Sequence, residues 1–169
     1  MNCRTAITAA LLCMPLAAAA QTPTGCKETQ HRQFDFWIGE WTVTNAAGQT
    51  MGHNVIRSIL DGCALEESWT GARGGNGKSF NFFERGRWHQ VWVSNSAGGI
   101  LRLQGALETG AMVMTGESSG PNGQVLNRIR WEKLEGGKVR QTWDVSSNGG
   151  QTWQTSFQGV YSRTSASGS

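Results

Sequence analysis

The chain has 169 residues and a formal net charge of +3, with 15 lysines and arginines against 12 acidic residues. That length carries one domain with a real core. So weak a charge, spread without a basic cluster, excludes nucleic-acid recognition by an electrostatic patch.

Residues 1–20 read as a signal peptide. Arg4 supplies a positive start, the apolar run from Ile7 ends in Ala18-Ala19-Ala20, and cleavage is expected before Gln21. The run is too short for a stable membrane anchor. Cys13 follows Leu11-Leu12, where a lipoprotein signal wants small residues. The mature protein is therefore expected in the periplasm or secreted. Of the four cysteines, Cys26 and Cys63 remain after cleavage. In an oxidising compartment a lone pair reads first as a disulfide. Its loop closure contributes roughly 3–4 kcal/mol in the chain-entropy model. The alternative, two thiols doing redox work, lacks a C-x-x-C spacing.

Residues 21–33 form an N-terminal extension, 34–163 the folded domain and 164–169 a flexible tail. The domain opens with "FDFWIGEW" (34–41), and from residue 40 onward the apolar residues recur with period two. Ten strands are predicted, over 40–45, 53–60, 64–71, 78–84, 87–95, 100–108, 111–118, 124–135, 138–147 and 151–163. Turn residues stand between them, among them Asp61-Gly62, Arg85-Gly86, Thr109-Gly110 and Asn148-Gly149. Ten strands joined by short hairpins make a meander, and closing it into a barrel removes its exposed edges. The fold class is all-β: one antiparallel up-and-down barrel of about ten strands, with Phe34 to Ile38 as a helical turn plugging one end.

Gly39-Glu40-Trp41 enters the first strand, and Arg163 in "GVYSR" ends the last. Together with the plug and the strand count, this resembles the calycins, the superfamily of lipocalins, fatty-acid-binding proteins and nitrobindins. Their first strand carries Gly-x-Trp, and an arginine of the last strand lies across that tryptophan. "FDFWIGEW" and "GCALEESW" are similar to a secreted bacterial lipocalin-like family. The resemblance covers about residues 34–163. It implies a barrel with Gly39, Trp41 and Arg163 as structural residues of its closed end, and it implies little biochemistry. If the first two strands form a hairpin, the end of the second near Leu60 lies beside Gly39. Cys63 then faces the segment that carries Cys26.

Two motifs read as architecture. "ARGGNGKS" (72–79) matches a phosphate-binding loop formally, but Phe80-Asn81-Phe82-Phe83 after it is a strand pattern and not a helix. It is taken as a hairpin loop, and no nucleotide is expected. "SSNGGQTW" (146–153) matches an Asp-box pattern with Asn148 in the acidic place; Asn148-Gly149 alone suits a type I′ turn. His31, His53 and His89 lack metal-ligand spacing, so no metal site is expected. A haem held by His89, Met112 or Met114 is disfavoured, because no histidine follows His89 near the C-terminus, where the resemblance to nitrobindins would put the ligand. No cofactor is expected.

The strand faces carry the functional reading. Leu65, Glu67 and Trp69 share one face; Trp88 and Trp92 flank Gln90; Asn127 lies with Val125, Ile129 and Trp131; Gln141 lies between Val139 and Trp143. Asn81 completes the polar set. Each face repeats one polar group among aromatic or aliphatic neighbours, as in an apolar chamber with a few polar anchors. The other possibility is a filled core whose polar groups pair with each other. The opposite faces, Arg128-Arg130-Glu132 and Arg140-Thr142-Asp144, suit a solvated exterior with cross-strand ion pairs. The leading expectation is a barrel whose lumen takes a small hydrophobic or aromatic molecule on Trp69, Asn81, Trp88, Gln90, Trp92, Asn127, Trp131, Gln141 and Trp143. The alternative is a lyase, isomerase or hydrolase using Glu67 as general acid or base, since a carboxyl among tryptophans has a raised pKa. A third is a structural envelope protein with a filled barrel.

Overall fold

Period-two alternation needs a partner strand on both sides, and each predicted strand finds them. The computed structural model describes residues 26–96, 99–121 and 123–164. The predicted signal peptide, residues 21–25 and the tail from 165 lie outside the described residues.

Ten strands form: β1 (Gly39–Thr44), β2 (Thr50–Ile59), β3 (Ala64–Gly71), β4 (Gly77–Glu84), β5 (Arg87–Ser94), β6 (Ile100–Glu108), β7 (Ala111–Gly120), β8 (Gly123–Lys133), β9 (Val139–Ser146) and β10 (Gln154–Arg163). Each pairs antiparallel with its neighbours in sequence, and β1 closes on β10, so the sheet is a barrel without a free edge.

The largest boundary changes are of three residues each: β2 begins at Thr50 and not at 53, and β10 begins at Gln154 and not at 151. The preceding loop bonds to itself. Gly150 N–H donates to Ser146 Oγ (2.9 Å), Thr152 N–H to Asn148 Oδ1 (2.9 Å) and Trp153 Nε1–H to Gly150 O (3.1 Å). Positive φ falls on Gly149 and Gly150, at 68° and 87°. The two-residue turn expected at Asn148-Gly149 is thus replaced by a longer loop, because Asn148 spends its side chain on holding Thr152. The glycine-rich stretch at 72–76 is a hairpin connection between β3 and β4, with Asn76 N–H donating to Asn95 Oδ1 (2.7 Å).

The closed end explains "FDFWIGEW". Asp35–Trp37 is a single 3-10 turn, and it delivers Phe34 and Trp37 into the barrel. Phe34 stacks on Trp37 at 4.9 Å and meets Trp88 and Trp131 edge-on at 5.6 and 5.2 Å. All four, with Trp41, are essentially removed from solvent. Each such ring is worth roughly 4–6 kcal/mol of gross burial before conformational entropy is subtracted. Trp41 pairs with Arg163 across β1 and β10, and the guanidinium lies 3.9 Å from the indole centroid. Arg163 Nη1 also donates to Ile38 O at 2.7 Å. Gly39 sits at φ 147°, and a Cβ there would overlap Arg163 Nη1, so glycine is the residue that admits the arginine.

Cys26 and Cys63 are joined, with their Cα atoms 4.8 Å apart. The register places Gly39 opposite Ile56 and not Leu60. Strand β2 therefore overruns β1, and the turn Leu60–Gly62 brings Cys63 back to the plug. Arg32 donates to Gly62 O and ties the same two segments. On the outside, Arg128 meets Asp144 at 3.2 Å and Arg140 meets Glu132 at 3.0 Å, the cross-strand pairs expected from the alternation. Such exposed pairs contribute on the order of 0–1 kcal/mol each.

Candidate functional site

The plug fills one end of the barrel, and above it the lumen is open. The chamber there measures about 150 Å³ and is lined by Glu67 and Trp69 (β3), Gln90 and Trp92 (β5), Leu101 (β6), Ile129 (β8), Gln141 and Trp143 (β9), and Phe157 and Tyr161 (β10). Trp69, Trp92, Trp143 and Phe157 lie toward the hairpin end that has no plug, and Glu67, Gln141 and Tyr161 lie deeper.

Glycines on the barrel wall set the posture of the mouth rings. A Cβ on Gly52 would stand 2.7 Å from the Trp69 ring, one on Gly77 would overlap Trp92, and one on Gly159 would stand 2.9 Å from Phe157. Each ring thus lies along the wall over a residue without a side chain, and the centre of the lumen stays clear.

Below the rings a polar row crosses three strands. Glu67 pairs with Ser79 across β3 and β4, and Asn81 with Gln90 across β4 and β5. Gln90 Nε2 donates to Asn81 Oδ1 (2.8 Å), Asn81 Nδ2 to Ser79 Oγ (2.8 Å), and Ser79 Oγ to Glu67 Oε2 (2.6 Å). From β2, Asn54 Nδ2 donates to Glu67 Oε1 at 2.7 Å. Every donor in the row points toward the carboxyl. Burial nevertheless dominates: desolvation pushes the Glu67 pKa from 4.5 up to about 7, against the lowering effect of the Ser79 and Asn54 hydrogen bonds. Tyr161 donates to Gln141 Oε1. Burial, with the nearby Glu67 charge, holds its phenol well above the ordinary range.

The chamber gathers six of the residues singled out in the sequence: Glu67, Trp69, Gln90, Trp92, Gln141 and Trp143. Four of the others go elsewhere. Trp88 and Trp131 face inward as expected, but they sit at the height of the plug and pack on Phe34. Asn81 faces inward and is buried, but it does not border the chamber and instead accepts from Gln90. Asn127 accepts from Trp143 Nε1 at 2.9 Å and borders a separate surface depression with His89, Arg102 and Trp153. Alternation missed Tyr161, Phe157, Leu101, Asn54 and Ser79. Tyr161 and Phe157 share the face of Arg163, which was the available signal. The histidines are dispersed: His31 meets Phe83 edge-on in the plug, His53 lies near Thr42 outside, and His89 stacks on Phe82 on the outer face. Met112 and Met114 are buried on the inner face.

Chemically, the site offers a carboxyl that changes charge near neutrality inside an aromatic chamber. Ser79 is hydrogen-bonded to that carboxyl, but it is buried and does not border the chamber, so it is no nucleophile for a substrate held there. The fold and site define a closed ten-stranded barrel with a small aromatic-lined lumen. No protein-family model matches the chain, and no curated protein matches it in sequence.

Proposed function

We propose that the protein is an exported, calycin-like barrel that binds a small, mainly apolar or aromatic molecule in its lumen. The observation that carries this reading is the 150 Å³ chamber with aromatic walls and one buried carboxyl at its base. A dry cavity of about that size lined by apolar side chains accepts benzene, so the fitting ligand is a single ring or a short chain with one polar group. The Gly39–Trp41–Arg163 packing and the plugged end support the calycin kinship, and the Cys26–Cys63 bond supports export.

The test uses the eight tryptophans as reporters. Benzyl alcohol should quench or shift their emission, saturate at one site per chain, and bind more tightly than toluene. No saturable response from either probe would remove the reading and leave a structural role.

A second reading is favoured by one observation, the position of the Glu67 pKa near 7. A carboxyl so poised suits general acid–base work on a hydrophobic substrate. In that case Glu67→Gln would keep binding but lower turnover by roughly 10²–10⁴-fold.

A further inference from the structure

We propose that the ligand of this chamber is an organic cation, a small ring-bearing amine whose ammonium group sits on the Glu67 carboxylate. The inference rests on the binding reading above and narrows it to one chemical class.

Three observations converge. First, Glu67 is a buried carboxyl without a cationic partner. Its side-chain partners are Asn54 and Ser79, both neutral, and among the residues lining the chamber there is no Lys, Arg or His. A buried carboxylate in that position is unfavourable unless a cation joins it. Each carboxylate oxygen takes one donor from the protein and keeps lone-pair capacity for another. Second, the mouth is made of Trp69, Trp92, Trp143 and Phe157, and ring faces of this kind attract a cation, most strongly once it is desolvated. An apolar tail and an ammonium head are both accommodated along one axis, rings above and carboxylate below. Third, the volume suits one ring with a short arm.

The groups that face Glu67 define its pH response. Asn54 (β2), Ser79 (β4), Gln90 (β5) and Gln141 (β9) are neutral, and Tyr161 (β10) is the other titratable group. Burial holds the Tyr161 phenol above its ordinary range, so it stays protonated at neutral pH. The Glu67 carboxyl therefore sets the dependence: below about pH 7 it takes up a proton and its attraction for the ammonium group falls.

The test compares benzylammonium with benzyl alcohol, which share size and ring, by calorimetry and tryptophan emission on the mature protein. At pH 8 the cation should bind at least tenfold more tightly than the alcohol. At pH 5 that preference should shrink, and in Glu67→Gln it should vanish while benzyl alcohol still binds, which also reports that the variant is folded. The wild-type pH series stands by itself if the variant is unstable. Equal or weaker binding of the cation at pH 8 overturns the cation assignment and leaves the neutral-ligand reading in place. Failure of both probes overturns the two together.

Discussion

The two ends of this barrel use the same residue types for opposite purposes. At the closed end Phe34, Trp37, Trp41, Trp88 and Trp131 interlock and fill the lumen. At the open end Trp69, Trp92, Trp143 and Phe157 stay half-buried and line a space. The difference lies in what meets each ring. Plug rings are enclosed by other rings, edge-on or stacked, whereas Trp69, Trp92 and Phe157 each lie against a wall glycine, and Trp69 and Phe157 meet edge-on at 6.1 Å. An aromatic-rich sequence therefore gives either a core or a chamber according to whether the wall beside each ring leaves room for it to lie back.

The sharpest way to break this comparison is to truncate a ring at the closed end. Trp41→Ala should cost roughly 3–5 kcal/mol of unfolding free energy, as a large core truncation does. Arg163→Ala should cost less. The double mutant should fall short of additivity by on the order of 1 kcal/mol, the contribution of a guanidinium over an indole face. Urea unfolding of the four proteins measures it. Strict additivity would mean that the 3.9 Å stacking carries no energy.

How much of this was legible before the structure depends on the direction considered. Alternation tells which way a side chain points, in or out, and it did so for Glu67, Gln90, Trp92 and Gln141. It does not tell how far along the barrel axis that side chain lies. Trp88 and Gln90 share a face two residues apart, yet the first packs on the plug and the second borders the chamber. Height is set by strand register, which depends on loop lengths and on the register shifts at Val43/Thr44 and Thr155/Phe157. Those irregularities leave no pattern in the sequence. The closed end was legible because its parts are sequence-local at both termini: Gly39 and Trp41 in one strand, Arg163 at the end of another. The polar row was only half legible, since Asn54 and Ser79 look like ordinary strand residues until β2, β3 and β4 are brought together.

A middle-sized effect tests the open end through its charge. The Glu67 pKa is about 7 in the folded protein and 4.5 for the ordinary side chain. The folded state thus holds its proton more tightly than the unfolded chain. Stability from this group is full below the unfolded value and is lost as pH rises through the folded one. At about 1.4 kcal/mol per pKa unit, the wild type should lose up to about 3 kcal/mol relative to Glu67→Gln between pH 4.5 and pH 8. Denaturant midpoints across that range measure the difference. Parallel curves for the two proteins would mean that the carboxyl is well solvated, and the chamber would then be wetter than its lining suggests.

The smallest expected change in stability, and the most specific to the comparison, comes from one methyl group. Gly77 lies on β4 outside the left-handed region of backbone space, so alanine there meets no conformational penalty. Its Cβ would, however, overlap the Trp92 ring and stand 2.8 Å from Val93 O. The ring can turn aside, away from the wall and into the lumen, while the contact with Val93 O is relieved only by a small shift of the backbone. Gly39 is the counterpart at the other end, where φ is 147° and the obstacle is Arg163, so the same substitution there strains both backbone and packing. Gly77→Ala should therefore cost no more than the roughly 1–3 kcal/mol of ordinary overpacking, while benzyl alcohol binding weakens by at least tenfold because Trp92 occupies its place. Trp92→Leu in the same background should restore room and recover part of the affinity. Fluorescence or calorimetric titration of the single and double variants reads both effects. Unchanged affinity in Gly77→Ala would show that the ring escapes outward past the mouth, and the wall glycine would then have no part in keeping the chamber open.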